Sequence, residues 1–184
     1  MDLQQLLSDC SKHDTRAQQC FYRQFAASMF LLCRRYVKSD ETAEEMMMNG
    51  FLKFFRGLQQ FTYVNEAATI GWLRKIMVNE CLMELRSTHS FLQLATDEMP
   101  ETALDEDMLA RLSAEEIFRL VTRLPVGYRT VFNLYVVEEM THREIAEALR
   151  ISEGTSRSQL SKARQLLQQM LLTQQSDYVR RKTK

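Results

Sequence analysis

Residues 141–164 constrain the fold more than any other stretch, because they hold two helical patterns separated by a single break. Thr141 and Glu144 stand at capping-box spacing, in which each side chain satisfies a free backbone N–H at a helix start. Ile145, Ala146 and Leu149 then share one face. The pattern stops at Arg150, Ile151 and Ser152. Ser152 is placed to cap a second helix, with Glu153 in its first turn, where the dipole favours an anion. Along that helix Ser156, Leu160, Ala163, Leu167 and Met170 recur at spacings of three and four and form the stripe expected to be buried. Arg157, Ser158, Ser161, Lys162 and Arg164 lie off it. Cations and small hydroxyls on an outer face suit a duplex major groove: the cations meet phosphates or guanine edges, and the hydroxyls allow close approach. The same spacing also describes a plain helical hairpin with a solvated face, so the rest of the chain has to decide between them.

That rest is helical too. Five Gly and two Pro are few for 184 residues, and no alternating pattern persists, so the expected fold class is all-α. The length allows one domain or two small ones. Net charge is zero, but the charge is segregated. Downstream of Thr155 stand Arg157, Lys162, Arg164, Arg180, Arg181, Lys182 and Lys184 against Asp177. Between Ser87 and Ala114 stand Asp97, Glu98, Glu101, Asp105, Glu106 and Asp107 against Arg111. Residues 88–112 contain Pro100 and little periodicity. They read as a flexible acidic linker, with at most a helical turn near 105–112. The chain thus divides into an N-terminal helical domain (1–87), the linker, and a C-terminal domain with a basic tail (113–184).

In chain order, a short helix is expected over 2–12. A long one follows over 15–37, capped by Asp14, with Cys20, Phe21, Phe25, Met29, Leu32, Cys33 and Tyr36 as its stripe. Ser39 and Asp40 open the next, which carries Glu41, Glu44 and Glu45 early and runs through Met46, Met47, Met48, Phe51, Phe54 and Phe55 to about 60. Gly50 and Gly57 inside it each cost about 1 kcal/mol of helix propensity. A loop at 61–65 precedes a helix over 66–86, with Ile70, Leu73, Ile76, Met77, Cys81, Leu82 and Leu85 apolar. After the linker, Ser113 and Glu116 form another capping box. Leu124 and Pro125 break the chain, and a helix over 126–139 leads into the helix-turn-helix.

With these residues in order, the chain resembles the bacterial alternative sigma factors of the sigma-70 family, extracytoplasmic-function group. The strongest match runs through Leu124, Pro125, Arg129, Val131 and Phe132, then Thr141, Glu144, Ile145, Ala146 and Leu149, then Ile151, Ser152, Gly154, Thr155, Ser158, Leu160, Ala163 and Arg164. A second runs through Trp72, Leu73, Ile76 and Asn79, ahead of Leu85 and Arg86. A third, less specific, joins Ala43, Glu44 and Glu45 to Phe51, Leu52 and Lys53. The resemblance implies a region 2 over about 15–88, a region 4 over about 113–172, and a promoter-specificity subunit that partners core RNA polymerase and promoter DNA and catalyses nothing itself.

By that resemblance the helix at 153–167 enters the minus-35 element, with Arg157, Ser158, Ser161, Lys162 and Arg164 at the contact positions. Arg157 is the best base reader, since a guanidinium bonds bidentately to guanine; Lys162 and Arg164 suit phosphates, with stacking on the domain surface the alternative for Arg164. The minus-10 element falls to Tyr63, Trp72, Lys75, Asn79 and Arg86, with Arg74 beside them. Stacking rings and an amide can hold an unstacked base, and the cations can hold phosphates. Packing in the core is the favoured alternative for Trp72. The helix from Asp40 resembles the segment that grips polymerase, with Glu44, Glu45, Met48, Asn49, Leu52 and Lys53 exposed, and its apolar excess suits a partner helix. The chain departs from the family pattern at Met48 and Asn49, at Arg150, where a turn glycine is usual, and at 87–90, where a basic run is usual. The family's usual control is an anti-sigma factor.

Other classes find little support. Cys10, Cys20, Cys33 and Cys81 lack C-x-x-C spacing and sit among apolar helical residues, so buried free thiols are expected rather than a zinc site or disulfides. His13, His89 and His142 are scattered and read as surface residues. No nucleophile set or phosphate loop is visible, so no cofactor, metal or small-molecule substrate is expected. With neither a signal peptide nor an apolar run of about 18 residues, a cytoplasmic protein is expected. The remaining alternative is a stand-alone helix-turn-helix regulator with an N-terminal signalling or dimerisation domain.

Overall fold

The computed structural model describes residues 2–88 and 113–182, the side chains of 88, 114 and 174–182 excepted. Every regular element among them is helical. The chain divides into two compact units, one within Met1–Thr88 and one within His89–Lys184.

The first unit holds four α-helices: α1 (Leu3–Ser11), α2 (Thr15–Tyr36), α3 (Asp40–Gly57) and α4 (Glu66–Thr88). Local chemistry explains their ends. Asp14 Oδ1 accepts from the Arg16 and Ala17 amides, at 2.7 and 3.1 Å, and starts α2. Ser39 Oγ accepts from Thr42 N and starts α3. Asn65 Oδ1 accepts from Ala68 N at 2.8 Å and starts α4, a cap not anticipated from the spacing. The core lies between α2, α3 and α4. Phe21 and Phe54 are fully buried and stack at 4.9 Å, and Phe51 stands edge-on to Tyr22 at 4.9 Å. Of the three consecutive methionines, Met46 and Met47 face this core and Met48 faces solvent.

Cys10, Cys33 and Cys81 are buried as expected, but Cys20 is exposed. Cys20 precedes Phe21 by one residue, so the helix turns it about 100° off the buried face. The Cys33 and Cys81 thiols share a hydrogen bond, which, with burial, pushes Cys81 far above the ordinary thiol range. Burial, with Asp14 and Asp9 nearby, raises Cys10 to about 11. All four thiols are free.

Among the described residues, the second unit holds α5 (Ala114–Arg123), α6 (Val126–Phe132), α7 (His142–Leu149) and α8 (Glu153–Lys182). The Ser113–Glu116 capping box is formed, and it holds the Glu116 carboxyl below its usual range, chiefly through the Ser113 amide. The helix expected over 126–139 is α-helical only to Phe132. It then widens to π spacing over Asn133–Val137, ending in Glu139 at φ 55°. The widened turn lets Leu134 stay buried while Tyr135 and Val136 face outward. Arg129 is buried, and its Nη1 donates to the Thr122 carbonyl at 3.2 Å, tying α6 to α5. The last helix continues through the segment expected to be a tail: after Gly154 no Gly or Pro interrupts it. The helical turn expected near 105–112, the linker, and His89 lie outside the described residues.

Candidate nucleic-acid and polymerase interfaces

In the second unit, Thr141 and Glu144 form their capping box, with Thr141 N donating to Glu144 Oε2 at 2.8 Å and Glu144 N to Thr141 Oγ1 at 3.3 Å. Helix α7 ends with Arg150 in the left-handed region at φ 57°, where Ile151 N reaches back to the Ala146 carbonyl. Ser152 Oγ then accepts from Thr155 N at 3.0 Å and starts α8. The buried stripe of α8 is Ser156, Leu160, Ala163, Leu167 and Leu171; Met170 is only half-buried.

The sequence stripe omitted Gln159, which is fully buried. Its amide lies against Gly127, where a Cβ would meet Gln159 Oε1 at 3.1 Å. The absence of a side chain at Gly127 therefore lets α6 and α8 approach closely.

Of the residues off the stripe, Arg157 is exposed and Ser158, Ser161, Lys162 and Arg164 are half-buried. The Ser161 Oγ atom itself is enclosed and has no partner. Arg157 Nη2 donates to Glu153 Oε2 at 2.8 Å. The Arg164 guanidinium lies 5.9 Å from the centre of the Tyr135 ring, the surface stacking raised as its alternative role.

His142 departs from the surface reading. Its ring stacks on Tyr135 at 4.6 Å, and its Nδ1 lies 2.9 Å from Ser156 Oγ. Burial pushes its pKa below the ordinary value; Arg157 and Arg164 push the same way, and Glu153 opposes them. His142, Tyr135, Glu153 and Arg157 border an open groove of about 460 Å³, with Met140 and Thr141 also in its lining. Periodicity shows none of this, because the contacts join residues on three different elements.

In the first unit, Trp72, Lys75, Asn79 and Arg86 share one face of α4, because their separations are near whole turns. Lys75, Asn79 and Arg86 are exposed, and Arg74 is half-buried. Trp72 is half-buried and packs flat on Phe61 at 4.4 Å and tilted on Phe54 at 4.7 Å. A Cβ on Gly57 would meet its ring at 2.9 Å. Tyr63 lies half-buried in the irregular segment ahead of α4.

On α3, Glu44, Glu45, Met48 and Leu52 are exposed, with Met48 and Leu52 at 45% and 51%, and Asn49 is half-buried. Lys53 is turned toward α4: its Nζ lies 2.6 Å from Oε1 of Glu80, whose side chain is 8% exposed. Among the described residues no group of His, Cys, Asp or Glu could hold a metal ion, and no helix is long and apolar enough to cross a membrane.

Comparison with known proteins joins the two units. Residues 21–91 match the family described as sigma-70 region 2, and residues 114–167 match sigma-70, region 4. The chain is 27% identical over 159 residues to the ECF RNA polymerase sigma factor SigM of Mycobacterium tuberculosis, covering 86% of this chain and 79% of that one. It is 24% identical over 156 residues to the ECF RNA polymerase sigma factor SigW of Bacillus subtilis, covering 78% and 82%. The solved structure of CnrH in complex with the cytosolic domain of CnrY covers 91% of this chain and 96% of that one, at 17% identity and a TM-score of 0.48. Carrying region 2 and region 4 on separate helical units, the chain belongs to the sigma-70 family, in its extracytoplasmic-function group: it is a non-enzymatic RNA polymerase subunit that directs transcription initiation.

Proposed function

We propose that the two units divide the promoter between them while one of them holds polymerase. Helix α8 lies in the major groove of the minus-35 element, where Arg157 reads a base edge, Ser158 and Ser161 allow close approach, Lys162 faces a phosphate, and Arg164, resting over the Tyr135 ring, faces another from the edge of the site. Tyr63 in its loop captures an unstacked base of the minus-10 element. Asn79 supplies an amide beside it, and Lys75 and Arg86 hold the strand. Trp72 supports that surface from below through Phe61 and Phe54. The exposed stripe of α3, Glu44, Glu45, Met48, Asn49 and Leu52, meets core RNA polymerase, with Lys53 at its edge. The protein works in the cytoplasm, and an anti-sigma factor that masks both units controls it.

The observation that carries this reading is the division of α8. Its apolar stripe is buried against α6 and α7, while Arg157 stands exposed at the start of the same helix. That leaves an exposed cation on a rigid element, where it can approach a groove. Transcription in vitro with core polymerase and the purified chain tests it on promoters selected from a randomised library. Arg157→Ala is expected to cost about 1–3 kcal/mol of discrimination at one minus-35 position. Unaltered minus-35 preference in that variant would remove the assignment, and failure of Met48→Asp with Leu52→Asp to weaken core binding would remove the α3 surface.

A further inference from the structure

Arg157 reaches the groove already paired. Its Nη2 donates to Glu153 Oε2 at 2.8 Å, one turn earlier on α8, and the two side chains are 58% and 44% exposed. Water reaches both, so the pair can be remade when a ligand arrives. Behind it the wall is ordered: His142 is held by Ser156 Oγ and stacks on Tyr135. Burial, with Arg157 and Arg164, pushes the His142 pKa below its ordinary value, which disfavours a competing cation beside the pair.

We propose that Glu153 is a specificity-determining residue, whose carboxylate holds the Arg157 guanidinium for a base edge and against backbone phosphate. The proposal rests on the reading of α8 as the minus-35 helix. A guanidinium carries five N–H donors in a planar fork, so one edge can stay on Glu153 while another meets guanine O6 and N7. A phosphate gains nothing from that arrangement, because the carboxylate beside Arg157 repels it. A base edge carries no net charge and pays less of that repulsion. The free carboxylate oxygen can also accept from a cytosine N4 amine on a neighbouring pair. Glu153 thus weakens sequence-independent binding while leaving base reading intact.

The test uses holoenzyme assembled from the full chain and core polymerase, with wild type, Glu153→Gln, Glu153→Asp and Arg157→Ala. Minus-35 preference is read by selection from a promoter library randomised there, and sequence-independent binding by titrating a random-sequence duplex against salt. Glu153→Gln is expected to bind the random duplex several-fold more tightly. Its salt slope should steepen by about 0.9, the value of one added phosphate contact. Its base preference should flatten at the positions that Arg157→Ala flattens. Glu153→Asp keeps the charge and is expected to stay nearer wild type in slope, and thermal melts show that each variant is folded. An unchanged slope and preference in Glu153→Gln, with Arg157→Ala still flattening, overturns this inference alone, as does Glu153→Asp behaving like Glu153→Gln. Arg157→Ala leaving the preference intact overturns the reading of α8 and this inference with it.

Discussion

Met77 fills the space beside Gly50. A Cβ on Gly50 would sit 2.3 Å from Met77 Sδ and 2.9 Å from its Cε, and Met77 is fully buried. The contact sets how closely α3, which carries the proposed polymerase surface, approaches α4, which carries the proposed minus-10 surface. Gly50→Ala gains about 1 kcal/mol of helix propensity but overpacks the site at a cost of about 1–3 kcal/mol. A net loss of stability is expected in thermal denaturation. Because the clash is with one side chain, Gly50→Ala combined with Met77→Ala should lose less than the sum of the two single changes.

Trp72 and Tyr63 separate packing from DNA capture. Trp72 stacks on Phe61 and Phe54, so Trp72→Ala is expected to lower the stability of the first unit by about 2–4 kcal/mol. Tyr63 is half-buried and lacks those stacking contacts, so Tyr63→Ala should cost less stability than Trp72→Ala, about 1 kcal/mol. It should nonetheless reduce promoter opening, measured by permanganate reactivity of the minus-10 strand. Full opening with Tyr63→Ala would count against the base-capture role.

Helix α7 ends on a strained residue. Arg150 holds φ 57°, where a side chain crowds the following carbonyl and glycine does not. Arg150→Gly is expected to stabilise the second unit by about 0.5 kcal/mol, the strain relief less the greater freedom of glycine in the unfolded chain. A melting temperature at or above wild type is the expected reading.

His142 links stability to pH. Its pKa in the folded protein is depressed below the ordinary 6.5, mainly by burial. The unfolded chain therefore binds a proton first as pH falls. The folded state loses stability from about pH 6.5 downward, until the folded-state pKa is passed. The stability of the second unit should decline across that window in wild type, and less steeply in His142→Gln, which cannot titrate. Equal slopes in urea melts between about pH 7 and pH 5 would show that His142 is not the source.

Local rules were legible in the chain. The helix starts at Asp14, Ser39, Ser113, Thr141 and Ser152 follow from side chains that bond backbone donors two or three residues away. The scarcity of Gly and Pro and the three-four spacing carried the all-α class, and the Leu124, Trp72 and Thr141 motifs carried the family. The tertiary structure alone decided what depends on residues far apart in the chain. It buried Gln159 against Gly127, joined Lys53 to Glu80, and brought His142 onto Tyr135 and Ser156. The π turn after Phe132 belongs here too, since keeping Leu134 inside while turning Tyr135 outward serves packing rather than intrinsic propensity. Periodicity reports which face of a helix is apolar, but not which partner meets that face, and partner contacts set the surroundings of Arg157, Arg164 and Trp72.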